Sequence, residues 1–150
     1  MICEHGGYIY SKKGLIDFSA NISPFGLSER IIDAVVSSAD SWVNYPDPFC
    51  GELREKIGAY ENMGAENIVC GNGAADIIFR IVHAFKPRKA LVCYPSFSEY
   101  SKALSEWGSD ITGYYLREED DFAVGEELIR RIREQHTDMV FLCSPNNPTG

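Results

Sequence analysis

Three short segments carry residue types suited to a flat, phosphorylated ligand. In Gly71-Asn72-Gly73-Ala74-Ala75-Asp76, glycines run straight into a predicted helix, whose first amides lack acceptors and whose dipole is positive at that end. A phosphate fits such a helix start; the same string also serves as a tight turn before small helix-starting residues. A dinucleotide fingerprint matches less well, because Asp76 stands where its third glycine would be. In Tyr94-Pro95-Ser96-Phe97-Ser98-Glu99-Tyr100 an aromatic side chain follows a predicted strand. Phe97 is placed either to stack on a heteroaromatic ring or to begin the core face of the next helix. Ser144-Pro145-Asn146-Asn147-Pro148-Thr149-Gly150 follows another predicted strand. Its prolines restrict the backbone and leave asparagine amides free to donate or accept outward, a rarer string than a polar turn requires.

Apolar periodicity supplies the elements that position these segments. From residue 61 the chain alternates: strand 68–70, helix 74–85, strand 90–94, helix 97–107, strand 110–116, helix 125–136 and strand 139–143. Continuous apolar strands such as Leu91-Val92-Cys93 and Val140-Phe141-Leu142 predict an α/β fold, a mostly parallel sheet with helices on both faces. Right-handed crossovers then place every post-strand loop on one edge, where open α/β sheets bind ligands. The first sixty residues read differently, as an arm and two helices. Ser28 is positioned to cap a helix carrying Ile31, Ile32, Val35 and Val36, and a second helix runs from about 52 to 60.

Composition narrows the function classes. With 22 acidic against 14 basic residues and a net charge of -8, the chain has no basic patch for nucleic acid. No apolar run approaches the roughly 18 residues of a membrane span, and 1–10 lacks the apolar core of a secretory signal. A cytoplasmic protein is expected. Five cysteines, an odd number with no close pair, read as reduced, small hydrophobic residues rather than a disulfide frame or metal site.

Nearly the whole chain resembles a known family. Ser144-Pro-Asn-Asn-Pro-Thr-Gly150 resembles the signature loop of class I/II aminotransferases, the pyridoxal-phosphate (PLP) enzymes of the aspartate-aminotransferase fold. His5-Gly6-Gly7, Asp17-Phe-Ser-Ala-Asn-Ile-Ser-Pro-Phe-Gly26, Tyr45-Pro-Asp47, Gly71-Asn-Gly73, Lys86-Pro-Arg-Lys-Ala90, Phe97-Ser-Glu-Tyr100 and Leu116-Arg-Glu118 are similar, in order and spacing, to the threonine-phosphate decarboxylases of cobalamin side-chain synthesis. Histidinol-phosphate aminotransferase is the alternative within the same branch, and a non-catalytic binding module the alternative outside it.

The resemblance implies roles for individual residues. Gly73, Ala74 and Ala75 would cradle the PLP phosphate, Phe97 would stack on the pyridine ring, and Asn147 would bond its 3-oxygen. Tyr45 would reach the cofactor phosphate of a neighbouring subunit, which implies a homodimer. His5 and Asn21 would lie near the phosphate of a small phosphorylated amino-acid substrate. In the family the Schiff-base lysine lies beyond the position of Gly150, so residues 1–60 are expected to form the arm and 61–150 the first half of the PLP-binding domain, without catalysis of their own. If three later family strands are absent, the strand at 68–70 is expected to pair directly with 90–94 or 139–143.

Overall fold

The computed structural model describes residues 6–10 and 14–150; His5 lies outside them. The chain divides into two compact units, Met1–Glu66 and Asn67–Gly150. In the first, helix α1 spans Glu29–Ser37 and α2 spans Gly51–Glu61, with a 3-10 turn at Ala39–Val43. Ser28 occupies the N-cap of α1 in extended backbone but makes no side-chain cap bond; its carbonyl accepts from the amides of Ile31 and Ile32 instead. The N-cap of α2, Cys50, makes no side-chain cap bond either, and its start is held from further upstream. There the Asp47 carboxylate accepts from the Phe49 amide at 2.9 Å and the Gly51 amide at 2.7 Å. These bonds, that of Gly51 foremost, hold the Asp47 carboxyl below its ordinary pKa. Arg54 closes the loop after α2 by donating through Nε and Nη2 to the Ala65 carbonyl. The apolar stripe of α1, Ile31, Ile32, Val35 and Val36, is exposed.

The second unit alternates helix and strand: α3 (Gly73–Phe85), β1 (Lys89–Tyr94), α4 (Glu99–Trp107), β2 (Asp110–Tyr115), α5 (Glu126–Glu134) and β3 (Met139–Phe141). The sheet has three strands in the order β2-β1-β3, all parallel, with Leu91 opposite Thr112 on one side and Val140 on the other. Helices cover β1 on both faces, α3 and α4 on one and α5 on the other, which is why its sequence is a continuous apolar run rather than an alternation. Ala90 and Val92 pack with Ile78 and Val82 of α3 and Ala103 and Leu104 of α4. Leu91 and Cys93 point the other way and pack with Leu128 of α5. The result is the expected parallel sheet with helices on both faces.

The expectation for residues 68–70 is corrected. They form no strand and pair with neither β1 nor β3. Pairing would be forced only if an unpaired strand there were buried, at about 1–3 kcal/mol for each orphan group. Val69 is 73% exposed, so water can satisfy the backbone and no pairing is forced. The Gly71 turn is consequently a loop entering α3, not the end of a ladder strand.

Candidate functional site

Each segment singled out in the second unit sits at one edge of its sheet, for a reason of length. Helix α3 has 13 residues and β1 has 6, so both are roughly 20 Å long. Only residues 86–88 join them, and the chain reverses there. The start of α3 therefore lies level with the C-terminal end of β1, where the loops after β1 and β3 also emerge.

The turn into α3 depends on both of its glycines. Gly73 has φ +81 with nothing near an added Cβ, so its requirement is conformational. Gly71 is spatial: a Cβ there would lie 2.6 Å from Ile77 Cδ1 and 2.8 Å from Asp76 Oδ2. The Gly73 amide donates back to the Gly71 carbonyl, and the amides of Ala74 and Ala75 follow in the first turn, where helix geometry provides no acceptor. Asp76 stands beside them, but its carboxylate is already held. Oδ2 accepts from the Asn72 amide at 2.9 Å and Oδ1 from Arg80 Nε at 2.8 Å. The Asn72 bond first, then that of Arg80, lowers its pKa. Its charge is thus partly neutralised next to the amides an anion would use.

The loops after β1 and β3 are tied to each other. Asn146 Nδ2 donates to the Pro95 carbonyl at 2.9 Å and to Thr149 Oγ1 at 2.7 Å, and the Gly150 amide closes the loop onto the Asn146 carbonyl at 2.7 Å. Asn146 is half-buried by this, and its neighbour Asn147 is exposed. Phe97 lies half-buried against the core and meets Tyr100 edge-to-face at 5.9 Å. Tyr100 in turn stacks on Phe141 at 4.7 Å. Burial, with a bond to Cys143, pushes the Tyr100 phenol up to about 12, so it is neutral at physiological pH. A cleft of about 430 Å³ lies beside these loops, lined in part by Cys93, Leu116, Leu142, Ser144, Asn146 and Thr149. A larger one of about 650 Å³ lies at the same edge, between the end of β2 and the start of α5; its charges Arg117, Asp120, Glu127 and Arg131 are paired among themselves or with neighbours.

The arrangement can hold an anion at Ala74 and Ala75, a flat ring near Phe97, and a hydrogen-bonding ring substituent at Asn147. This donor set fits a phosphorylated heteroaromatic cofactor. Tyr45, wholly exposed, and Asn21, also exposed, belong to the first unit. The sequence singles out the asparagine pair and the string holding Tyr100, but gives no role to Tyr100 and no sign that Asn146 bridges two loops. No group of His, Cys, Asp or Glu suited to a metal ion occurs among the described residues, and none of their helices is long and apolar enough to cross a membrane.

Threonine-phosphate decarboxylase of Salmonella typhimurium is 34% identical over 154 residues, covering 97% of this chain and 42% of that protein. The chain thus spans about two-fifths of the length of such relatives. Histidinol-phosphate aminotransferase from Clostridium acetobutylicum superposes with a TM-score of 0.76 at 29% identity, covering 89% of this chain and 39% of that one. The Sinorhizobium meliloti histidinol-phosphate aminotransferase, solved in complex with pyridoxal-5'-phosphate, shares the fold with a TM-score of 0.78 at 21% identity, covering 86% of this chain and 35% of its own. Since the profile of aminotransferase class I and II matches residues 13–150, nearly the whole length that holds the turn, the ring segment and the asparagine loop, the chain belongs to the class I and II aminotransferase family.

Proposed function

We propose that this chain carries the phosphate- and ring-binding part of a PLP-dependent enzyme that acts on a phosphorylated amino acid, and that the reaction of the whole protein is decarboxylation of threonine phosphate. One observation carries the reading. The left-handed turn at Gly73 presents the Ala74 and Ala75 amides at the same sheet edge as Phe97 and Asn147, in a chain that aligns over 97% of its length with a threonine-phosphate decarboxylase.

When bound, PLP supplies an electron sink for the pair released as a bond at the substrate α-carbon breaks. The residues of this chain bind and orient. The Ala74 and Ala75 amides hold the cofactor phosphate, helped by the positive end of α3. Phe97 covers one ring face, itself braced by Tyr100 against Phe141. Asn147 bonds the 3-oxygen, its loop held by Asn146 on Pro95. Asn21 and His5 serve the substrate phosphate, and Tyr45 serves the cofactor phosphate of a second copy in a cytoplasmic homodimer.

Histidinol-phosphate aminotransferase is the second reading, favoured by the 29% identical Clostridium structure. Threonine phosphate given to the full-length protein should release carbon dioxide with no keto-acid acceptor. Turnover that requires 2-oxoglutarate assigns the aminotransferase reaction instead, and absence of any PLP binding leaves a non-catalytic module.

A further inference from the structure

Asp76 is the acidic residue in the first turn of α3, where a carboxylate is drawn to amides that have no acceptor. Left to itself, such a side chain accepts from the helix-start N–H groups and fills the position a phosphate would take. Here both of its oxygens are engaged elsewhere. Oδ2 accepts from the Asn72 amide, ahead of the helix, in space that Gly71 leaves open, since a Cβ at Gly71 would lie 2.8 Å from that oxygen. Oδ1 accepts from Arg80 Nε, one turn further along α3. The carboxylate is thus held from two sides, and neither bond uses the Ala74 or Ala75 amide. The Arg80 side chain is 60% exposed, and an exposed ion pair at i,i+4 adds little stability. What this pair sets is where the carboxylate sits.

We propose that Arg80 is a positioning residue of the candidate phosphate site: it holds the Asp76 carboxylate off the first amides of α3 and so keeps them for the cofactor phosphate. The proposal rests on the cofactor reading above and deepens it by a residue that touches no ligand. Without Arg80, Oδ1 would be free to accept from an amide of the first turn, and a negative charge would compete with the phosphate for the same donors. Lysine at position 80 would still hold the carboxylate, because an ammonium also pairs with an acid at i,i+4. Alanine would release it while keeping the helix, being the best helix former. Asparagine at position 76 carries no charge to misplace, so in its presence position 80 ceases to matter.

The test uses the full-length protein freed of cofactor, titrated separately with PLP and with inorganic phosphate, which probes the α3 cradle alone. R80A should weaken both ligands about fivefold, and R80K should stay within about twofold of wild type. In a D76N background the same R80A change should cost less than about twofold. The melting temperature of cofactor-free R80A should stay within about 2 °C of wild type, because the released carboxylate then caps the helix itself. Equal losses from R80A in the wild-type and D76N backgrounds would show that Arg80 acts on the anion by its own charge, and unchanged affinity in R80A with a lowered melting temperature would show a structural ion pair. Either result overturns the Arg80 proposal and leaves the cofactor reading standing. Failure of the wild-type protein to bind PLP, or of A74P to weaken it, overturns the cofactor reading and the Arg80 proposal together.

Discussion

Asn146 Nδ2 donates to the carbonyl oxygen of Pro95 at 2.9 Å, 51 positions away in sequence. The bond joins the loop after β1, which carries Phe97, to the loop after β3, which carries Asn147. Replacement by aspartate keeps the shape and removes the donor. N146D should lose about 1–2 kcal/mol of stability, from the bond itself and from the Pro95 carbonyl left facing a carboxylate. Urea denaturation of wild type and N146D measures this, and PLP affinity should fall with it.

A74P separates the cradle from the helix. Proline in the first turn of α3 removes an amide that has no intrahelical acceptor, and the preceding residue, Gly73, tolerates the restriction that proline imposes. Phosphate affinity should drop about tenfold while the melting temperature changes by no more than about 2 °C, as read by titration and by thermal melts monitored at 222 nm.

Gly73 has φ +81 with open space around it, so its substitutions report backbone conformation without a clash. G73A should destabilise by about 1–2 kcal/mol, and G73N by less, since asparagine visits the left-handed region more readily. Equal losses in chemical denaturation would contradict a conformational role.

Asp138 fastens β3 to β1 at the remote edge. Its Oδ2 accepts from the amides of Arg88 and Lys89, each at 2.9 Å, and its own amide donates to the Lys89 carbonyl at 2.9 Å. Lys89 first, then Arg88, holds its carboxyl below the ordinary 3.8. A depressed folded pKa contributes stability above the unfolded value, and this is lost as pH falls below 3.8 through the folded pKa. The melting temperature of wild type should therefore exceed that of D138N near pH 6, and the gap should narrow between pH 4 and pH 2. A gap independent of pH would show that the carboxylate charge does not matter.

Local patterning by itself determined the alternation of elements in the second unit, because a helix or strand buried on one face or two must repeat its apolar residues at the matching period. Leu91-Val92-Cys93 reads as a doubly covered strand, and it is one, with Val92 turned toward α3 and α4 and Leu91 toward α5. The candidate strings were legible for a related reason: a left-handed turn needs a glycine such as Gly73, and a helix start offers its amides whatever the rest of the chain does. Residues 68–70 show the limit. Their apolar pattern suits a strand, but a strand exists only where a neighbour offers a ladder, and none is supplied here. Ser28 was legible as a helix boundary, yet whether its hydroxyl bonds the first turn depends on a rotamer that sequence does not encode. The Asn146 bond to Pro95 and the edge-to-face packing of Phe97 on Tyr100 depend on which loops the sheet brings together. Such contacts link residues far apart in the chain, and only the tertiary structure decides them.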